Sequence, residues 1–465
     1  MKKFSLFAIL LSALFVLSAC SAEQKQDNTE PEVTSEHVQE TTVAQIEDDG
    51  IVDISFNGSD VLVEGSSAST DADSAVYIAN DIVYYEEGKD FTYGEGSEAD
   101  AHSKDEADAH TVVHIAKAGE YRLSGTLLKG QVAVDLGKDA EENPEAVVTL
   151  ILDGVDITCD VAPGVIFYNV YECSDSDADN ATKDVDTSKA GANVIIADGS
   201  ENTVNGAYVA KIYKPESVVL DESGTEVEDA SKLHKYDGAF YSKMSMNINS
   251  ETEGTGVLNI NARNEGLDSE LHLTINGGII NINSGNDGIN TNEDYVSVTT
   301  INGGKINIVV NGETGEGDGI DSNGWLVING GEICAEACYF SADAGIDSDM
   351  GIYINGGTVV ACGSMMDRIE DSGQINVTFN LGRDQGSTDT ITIKNSAEEA
   401  VYEFTPVNGC SMIIFSSPQL SSEDTYALYS ADELISEGGS GFMGGPGMMR
   451  PDGNMPPEGE PPHWG

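Results

Sequence analysis

The stretch "DGIDSNGWLVINGGEICAEAC", Asp318 to Cys338, pairs an Asp-Gly-Ile-Asp phrase with a short apolar run and the corner Ile-Asn-Gly-Gly. The same corner recurs with its asparagine at Asn276, Asn302, Asn329 and Asn355, at spacings of 26, 27 and 26 residues. A fixed period of this length means stacked units, each burying its apolar face against the next.

Aligned on the asparagine, the residue before it is always isoleucine (Ile275, Ile301, Ile328, Ile354), and the fourth residue after it is Ile280, Ile306, Ile333 or Val359. Two further on stand Ile282, Ile308, Ala335 and Ala361. These columns alternate with polar positions, the period of two of a strand with one face inward. A propeller blade needs roughly 40 residues, whereas about 26 residues suit one coil of a parallel β-helix. The expected fold is all-β, a right-handed single-stranded parallel β-helix in which the isoleucines form buried stacks and the asparagines a hydrogen-bonded ladder.

Upstream of each apolar run lies an oxygen-rich half-repeat: Glu265-Gly266-Leu267-Asp268, Asp287-Gly288-Ile289-Asn290, Asp318-Gly319-Ile320-Asp321 and Asp343-Ala344-Gly345-Ile346-Asp347. Parallel strands lie about 4.7–4.9 Å apart, so stacking would place these side chains in rows facing solvent. Calcium bonds oxygen at about 2.3–2.6 Å, so one ion can bridge two neighbouring coils. Glu265, Asp268, Asp287, Asn290, Asp318, Asp321, Asp343 and Asp347 are therefore candidate calcium ligands; the competing role is that Asp-Gly and Asn-Gly simply make turns. A further candidate is the run Asp175 to Asp186, which has the spacing of an EF-hand-type loop but lacks its glycine.

The whole chain agrees with a cation requirement. Its 465 residues carry 81 acidic against 22 basic side chains, a net charge of −59, which argues against a nucleic-acid partner. The start, "MKKFSLFAILLSALFVLSAC", has two lysines, an apolar run and a Leu-Ser-Ala-Cys ending. Residues 1–20 are expected to be an export signal resembling a bacterial lipobox, with Cys20 lipidated and the mature protein extracellular on that anchor. Residues 21–46 read as a flexible tether, 47–380 as the stacked domain, 381–436 as its closing strands, and 437–465, rich in Gly, Pro and Met, as a disordered tail. The remaining six cysteines form no tight CxxC pair and leave disulfide pairing open.

Taken in order, "VHIAKAGEYRLSGTL" (113–127), "VTLILDGVDIT" (148–158), "IIADGSENTV" (195–204), "YDGAFYSKMSMNIN" (236–249) and the Gly-Ile repeats resemble a bacterial carbohydrate-binding-domain family with a pectate-lyase-like β-helix. That resemblance implies a monomeric binder of plant cell-wall polysaccharide, polygalacturonate or cellulose, with calcium as its cofactor. An anionic protein would hold an anionic sugar through bridging cations, whereas a neutral glucan would use aromatic platforms, for which Trp325, Tyr241, Tyr295 and Tyr353 are candidates. A lyase reading needs a base, and Arg263 is the one arginine near an acidic corner. Because the acidic phrase repeats at every coil, a lattice explains it better than one active site, so binding is the expected function; a lyase and a calcium-rigidified structural adhesin are the alternatives.

Overall fold

The computed structural model describes residues 50–385, 389–431 and 433–439. The expected signal and tether (1–46) lie outside the described residues, and so does most of the 437–465 tail. Its first residues do not match the expected disorder: Glu437 ends the strand Glu433–Glu437, and Gly439 exchanges backbone hydrogen bonds with Thr378.

The chain is all-β, as the alternation requires. Among the described residues one α-helix appears, the five-residue Lys104–Asp108, started by a capping box between Ser103 and Glu106. No helix among them is long and apolar enough to cross a membrane.

Consecutive repeats pair in parallel and in register along two ladders. The first joins His272–Ile275, Val298–Ile301, Trp325–Ile328 and Gly351–Ile354; the second joins Ile279–Ser284, Lys305–Val310, Glu332–Glu336 and Thr358–Gly363. Each residue meets its counterpart one repeat away: Ile275 pairs with Ile301, Ile301 with Ile328, and Ile328 with Ile354. A third ladder carries the acidic phrases, through Gly238–Ser242, Glu265–Ser269 and Ile289–Thr291, and continues as single bridges from Ile289 to Ile320 and Ile320 to Ile346.

The isoleucine columns are fully buried and belong to one continuous core that also holds Leu267, Ile289, Ile320 and Ile346 from the third ladder. Burying each such side chain contributes about 1.5–3 kcal/mol, and a slip of one residue would turn the whole set to solvent. At the far end the parallel pattern stops. Thr358–Gly363 pairs antiparallel with Cys410–Ser416, which pairs antiparallel with Asn376–Gln385, over a separate small core including Phe379, Ile393 and Phe415. The six described cysteines are all unpaired thiols.

The corner explains its two glycines separately. A side chain at Gly330 would sit 2.6 Å from the Asn302 carbonyl of the preceding repeat, and Gly331 has φ +95°, a left-handed conformation. The asparagine before them forms the expected ladder: the amide of Asn276 donates to Asn249 Oδ1, and Asn302, Asn329 and Asn355 each donate to the one before, all at 2.9 Å. Gly330→Ala, through the clash with the Asn302 carbonyl, and Gly331→Ala, through its positive φ, should each lower stability by about 1–3 kcal/mol. Asn329→Ala should cost about 1 kcal/mol, one exposed hydrogen bond at each side. Urea midpoints of the three variants test that order; an equal or larger loss for the asparagine would refute it.

Candidate metal centre

The third ladder brings the half-repeats into two columns. Asp268 pairs with Asn290, and the bridges through Ile289, Ile320 and Ile346 place Asp321 and Asp347 next along the same line. The other column runs through Glu265, Asp287 and Asp318.

The expectation that these side chains form an outward, solvent-facing row is corrected. Asp268 is fully buried, Glu265 and Asn290 are buried, and Asp287, Asp318, Asp321, Asp343 and Asp347 are half-buried. Each column is bonded by the next coil of the same ladder. The amide of Asn292 donates to Asp268 Oδ1 at 2.7 Å, that of Asn290 donates to Glu265 Oε1 at 3.1 Å, and the backbone N–H of Ala344 donates to Asp318 Oδ1 at 2.5 Å.

Two groups of carboxylates converge, and within each the oxygens lie within 4.8 Å of one another. The first is Asp237, Glu265 and Asp268; the second is Asp318, Asp321 and Asp347. Oxygens bonded to one calcium ion at about 2.3–2.6 Å can be separated by at most twice that distance, which this spacing satisfies.

The first group has an internal cation, Lys235, whose Nζ lies 2.6 Å from Asp237 Oδ2. With all three carboxylates ionised, one ammonium would leave two negative charges. Glu265 Oε2, Asp268 Oδ2 and Asn290 Oδ1 are buried acceptors with no hydrogen-bond partner. A proton shared between Glu265 and Asp268 satisfies part of this set; once it leaves, three oxygens beside a double negative charge suit a hard divalent cation. Burial, reinforced by the neighbouring carboxylates, holds both Glu265 and Asp268 well above the usual carboxylate range.

In the second group burial, with the charges of Asp287 and Asp347 added, pushes Asp318 up to about 9 and Asp321 up to about 8. Burial also pushes Asp287 up to about 7. A divalent ion would reverse these shifts by favouring the charged form.

The remaining candidates do other work. Asp287 Oδ1 accepts from the Asp318 backbone N–H at 2.7 Å, tying one repeat to the next. Asp343 Oδ2 accepts from the Gly317 N–H at 2.8 Å and from the Ser341 hydroxyl; it aligns with Gly317, one residue out of the acidic column, and does not join the second group. The EF-hand-like run gathers no metal group among the described residues. Asp175, Asp177 and Asp186 instead cap their own turns, accepting from the N–H groups of Asp177, Asp179 and Ser188.

Of the aromatic candidates, Tyr241 is buried and donates to Glu270, so it offers no platform. Trp325 and Tyr353 are half-buried, and Tyr295 is exposed. Arg263 lines a shallow pocket with Asp160 and Glu313, among none of the clustered carboxylates.

Asp237 and Lys235 were not among the sequence candidates. A signal existed, since Asp237 lies 27 residues before Asn264 and pairs with that position's neighbourhood through Gly238 and Glu265. Lys235 stands two residues before Asp237, on the same side of an extended chain, so it was legible from Asp237 as soon as that residue was placed.

These features define an all-β protein of stacked parallel strands with an all-oxygen acidic flank. The family model described as carbohydrate-binding domain-containing protein matches residues 109–378, more than half of the chain, and the chain belongs to that family. Among solved structures, a polysaccharide lyase-like protein from C. thermocellum, in its gadolinium derivative, is 20% identical and covers 66% of this chain and 92% of that one, with a TM-score of 0.35. No curated protein matches the chain.

Proposed function

We propose that this protein is a non-catalytic, calcium-associated binder of plant cell-wall polysaccharide, with acidic polygalacturonate the favoured polymer and cellulose the other candidate. On this reading the three ladders wind as a right-handed parallel β-helix, and the chain is a monomer anchored outside the cell by a lipid on Cys20. The single observation that carries the calcium reading is the set of orphaned buried oxygens on Glu265, Asp268 and Asn290.

The two carboxylate groups suit different tasks. Glu265 and Asp268 are enclosed, so an ion there would be held by the chain alone and would brace adjacent coils. Asp318, Asp321 and Asp347 are half-exposed, and an ion there would keep coordination positions open to solvent. A uronate carboxylate can fill such positions, which lets an anionic protein hold an anionic sugar without direct charge attraction. Family membership supports a carbohydrate ligand in general.

The test is retention of the secreted chain on polygalacturonate, cellulose and a control polymer, with calcium and with chelator, while absorbance is followed for unsaturated sugar product. Calcium-dependent retention on polygalacturonate without product is the expected result. Product would make the protein a lyase, and equal retention with chelator would remove calcium from the mechanism.

A further inference from the structure

The asparagine rail does more than stack. It borders an open trough of about 660 Å³ whose floor is Thr274, Thr300 and Val327 and whose far wall is the loop from Lys183 to Ser188. We propose that this trough is a second carbohydrate surface, separate from the acidic groups, and that it takes a neutral glycan chain lying along the stacking direction. The proposal rests on the carbohydrate-binding reading above, but not on its calcium or its acidic polymer.

The first argument is hydrogen-bond capacity. A carboxamide has two N–H donors and two acceptor positions, and the rail uses one of each from every interior member. Asn276, Asn302 and Asn329 are exposed, so each rung presents one spare donor and one spare acceptor. These pairs recur every 4.7–4.9 Å or so, about 19 Å in all from Asn249 to Asn355. A sugar hydroxyl is likewise donor and acceptor at once, so a row of hydroxyls complements the row of amides.

The second argument is preorganisation. The wall is pinned to the floor: the Thr187 hydroxyl lies 2.7 Å from both Asn247 Oδ1 and Thr274 Oγ1, and the Asn247 amide donates to the Thr187 carbonyl at 2.8 Å. Thr187 and Asn247 are buried, so the trough exists before any ligand arrives and little ordering is left to be done on binding.

The third argument is charge. In a chain of net charge −59, the rail and floor of this trough carry no charged side chain. Its charges sit on the wall, where Lys183 pairs with Asp184 at 2.5 Å and lies over the Tyr353 ring, 5.3 Å from its centre, and Asp186 accepts from the Ser188 N–H at 3.0 Å. Rail and floor offer no carboxylates to hold a bridging cation, and the wall sets one lysine against two aspartates, so an anionic polymer gains nothing from the surface. A neutral chain loses nothing.

The full secreted chain is titrated with a soluble neutral β-glucan and, separately, with polygalacturonate, each with calcium and with chelator. The glucan should bind equally in both conditions. Asn302→Ala with Asn329→Ala should weaken it at least tenfold, as should Thr300→Trp, which fills the trough and leaves the rail intact; calcium-dependent binding of polygalacturonate should be unchanged in both variants. Absence of glucan binding, its loss with chelator, or its persistence in both variants overturns the proposal. Retention of polygalacturonate alone would defeat this inference and leave the acidic-polymer reading standing.

Discussion

Calcium should raise the melting temperature of this protein, and the gap between calcium and chelator should widen as pH rises. Two sites at a hundredfold excess over their dissociation constants contribute about 5 kcal/mol, which for a unit of this size is about 6 °C. The pH dependence follows from Asp287, Asp318 and Asp321, raised to about 7, 9 and 8. An unfolded aspartate titrates near 4, so without metal the folded state holds more protons than the unfolded one between about pH 4 and 9. Stability without metal is therefore greatest at the acid end of that window and falls as pH rises through the folded values. Calcium needs the deprotonated ligands and binds better over the same range. Calorimetry at pH 5 and pH 8, with calcium and with chelator, checks this. A chelated protein that gains stability towards pH 8, or shows no calcium response at either pH, would refute the metal centre.

Neutralising the carboxylates and removing the lysine should have opposite effects. Asp321→Asn with Asp347→Asn removes charge from a half-buried group that repels itself, so the chelated protein should melt higher than wild type. The same variant should lose one calcium ion in titration calorimetry. Lys235→Met leaves Asp237, Glu265 and Asp268 without their internal cation. Breaking a buried pair costs about 3–5 kcal/mol, but Lys235 is 40% exposed and screened, so about 1–3 kcal/mol is expected. Added calcium should restore most of that loss, because the ion supplies the missing positive charge. If both variants lower the chelated melting temperature and neither changes calcium uptake, the carboxylates are structural partners of the backbone and not ligands.

The repeat was legible because stacking is periodic in sequence as well as in space. Ile275, Ile301, Ile328 and Ile354 share a column since every coil must present an apolar side chain at the same place. The asparagine ladder was legible for the same reason, and so was the corner, where one glycine avoids a neighbouring carbonyl and the next needs a positive φ. Asp343 was misplaced because the period is interrupted there by one residue; backbone pairing through Ile346, and not spacing, sets the column.

Sequence alone thus determined the all-β class, the register of the stacked repeats and which residue types recur on each face. Tertiary structure decided which of those residues meet and how far water reaches them. Alternation tells which way a side chain leaves its own strand, but burial depends on what lies across it. Asn292 bonds to Asp268 and Asn290 to Glu265 from the next coil, so a row expected in solvent is enclosed. Asp318, Asp321 and Asp347 become one group only because parallel pairing converts a spacing of 26 residues into one rung.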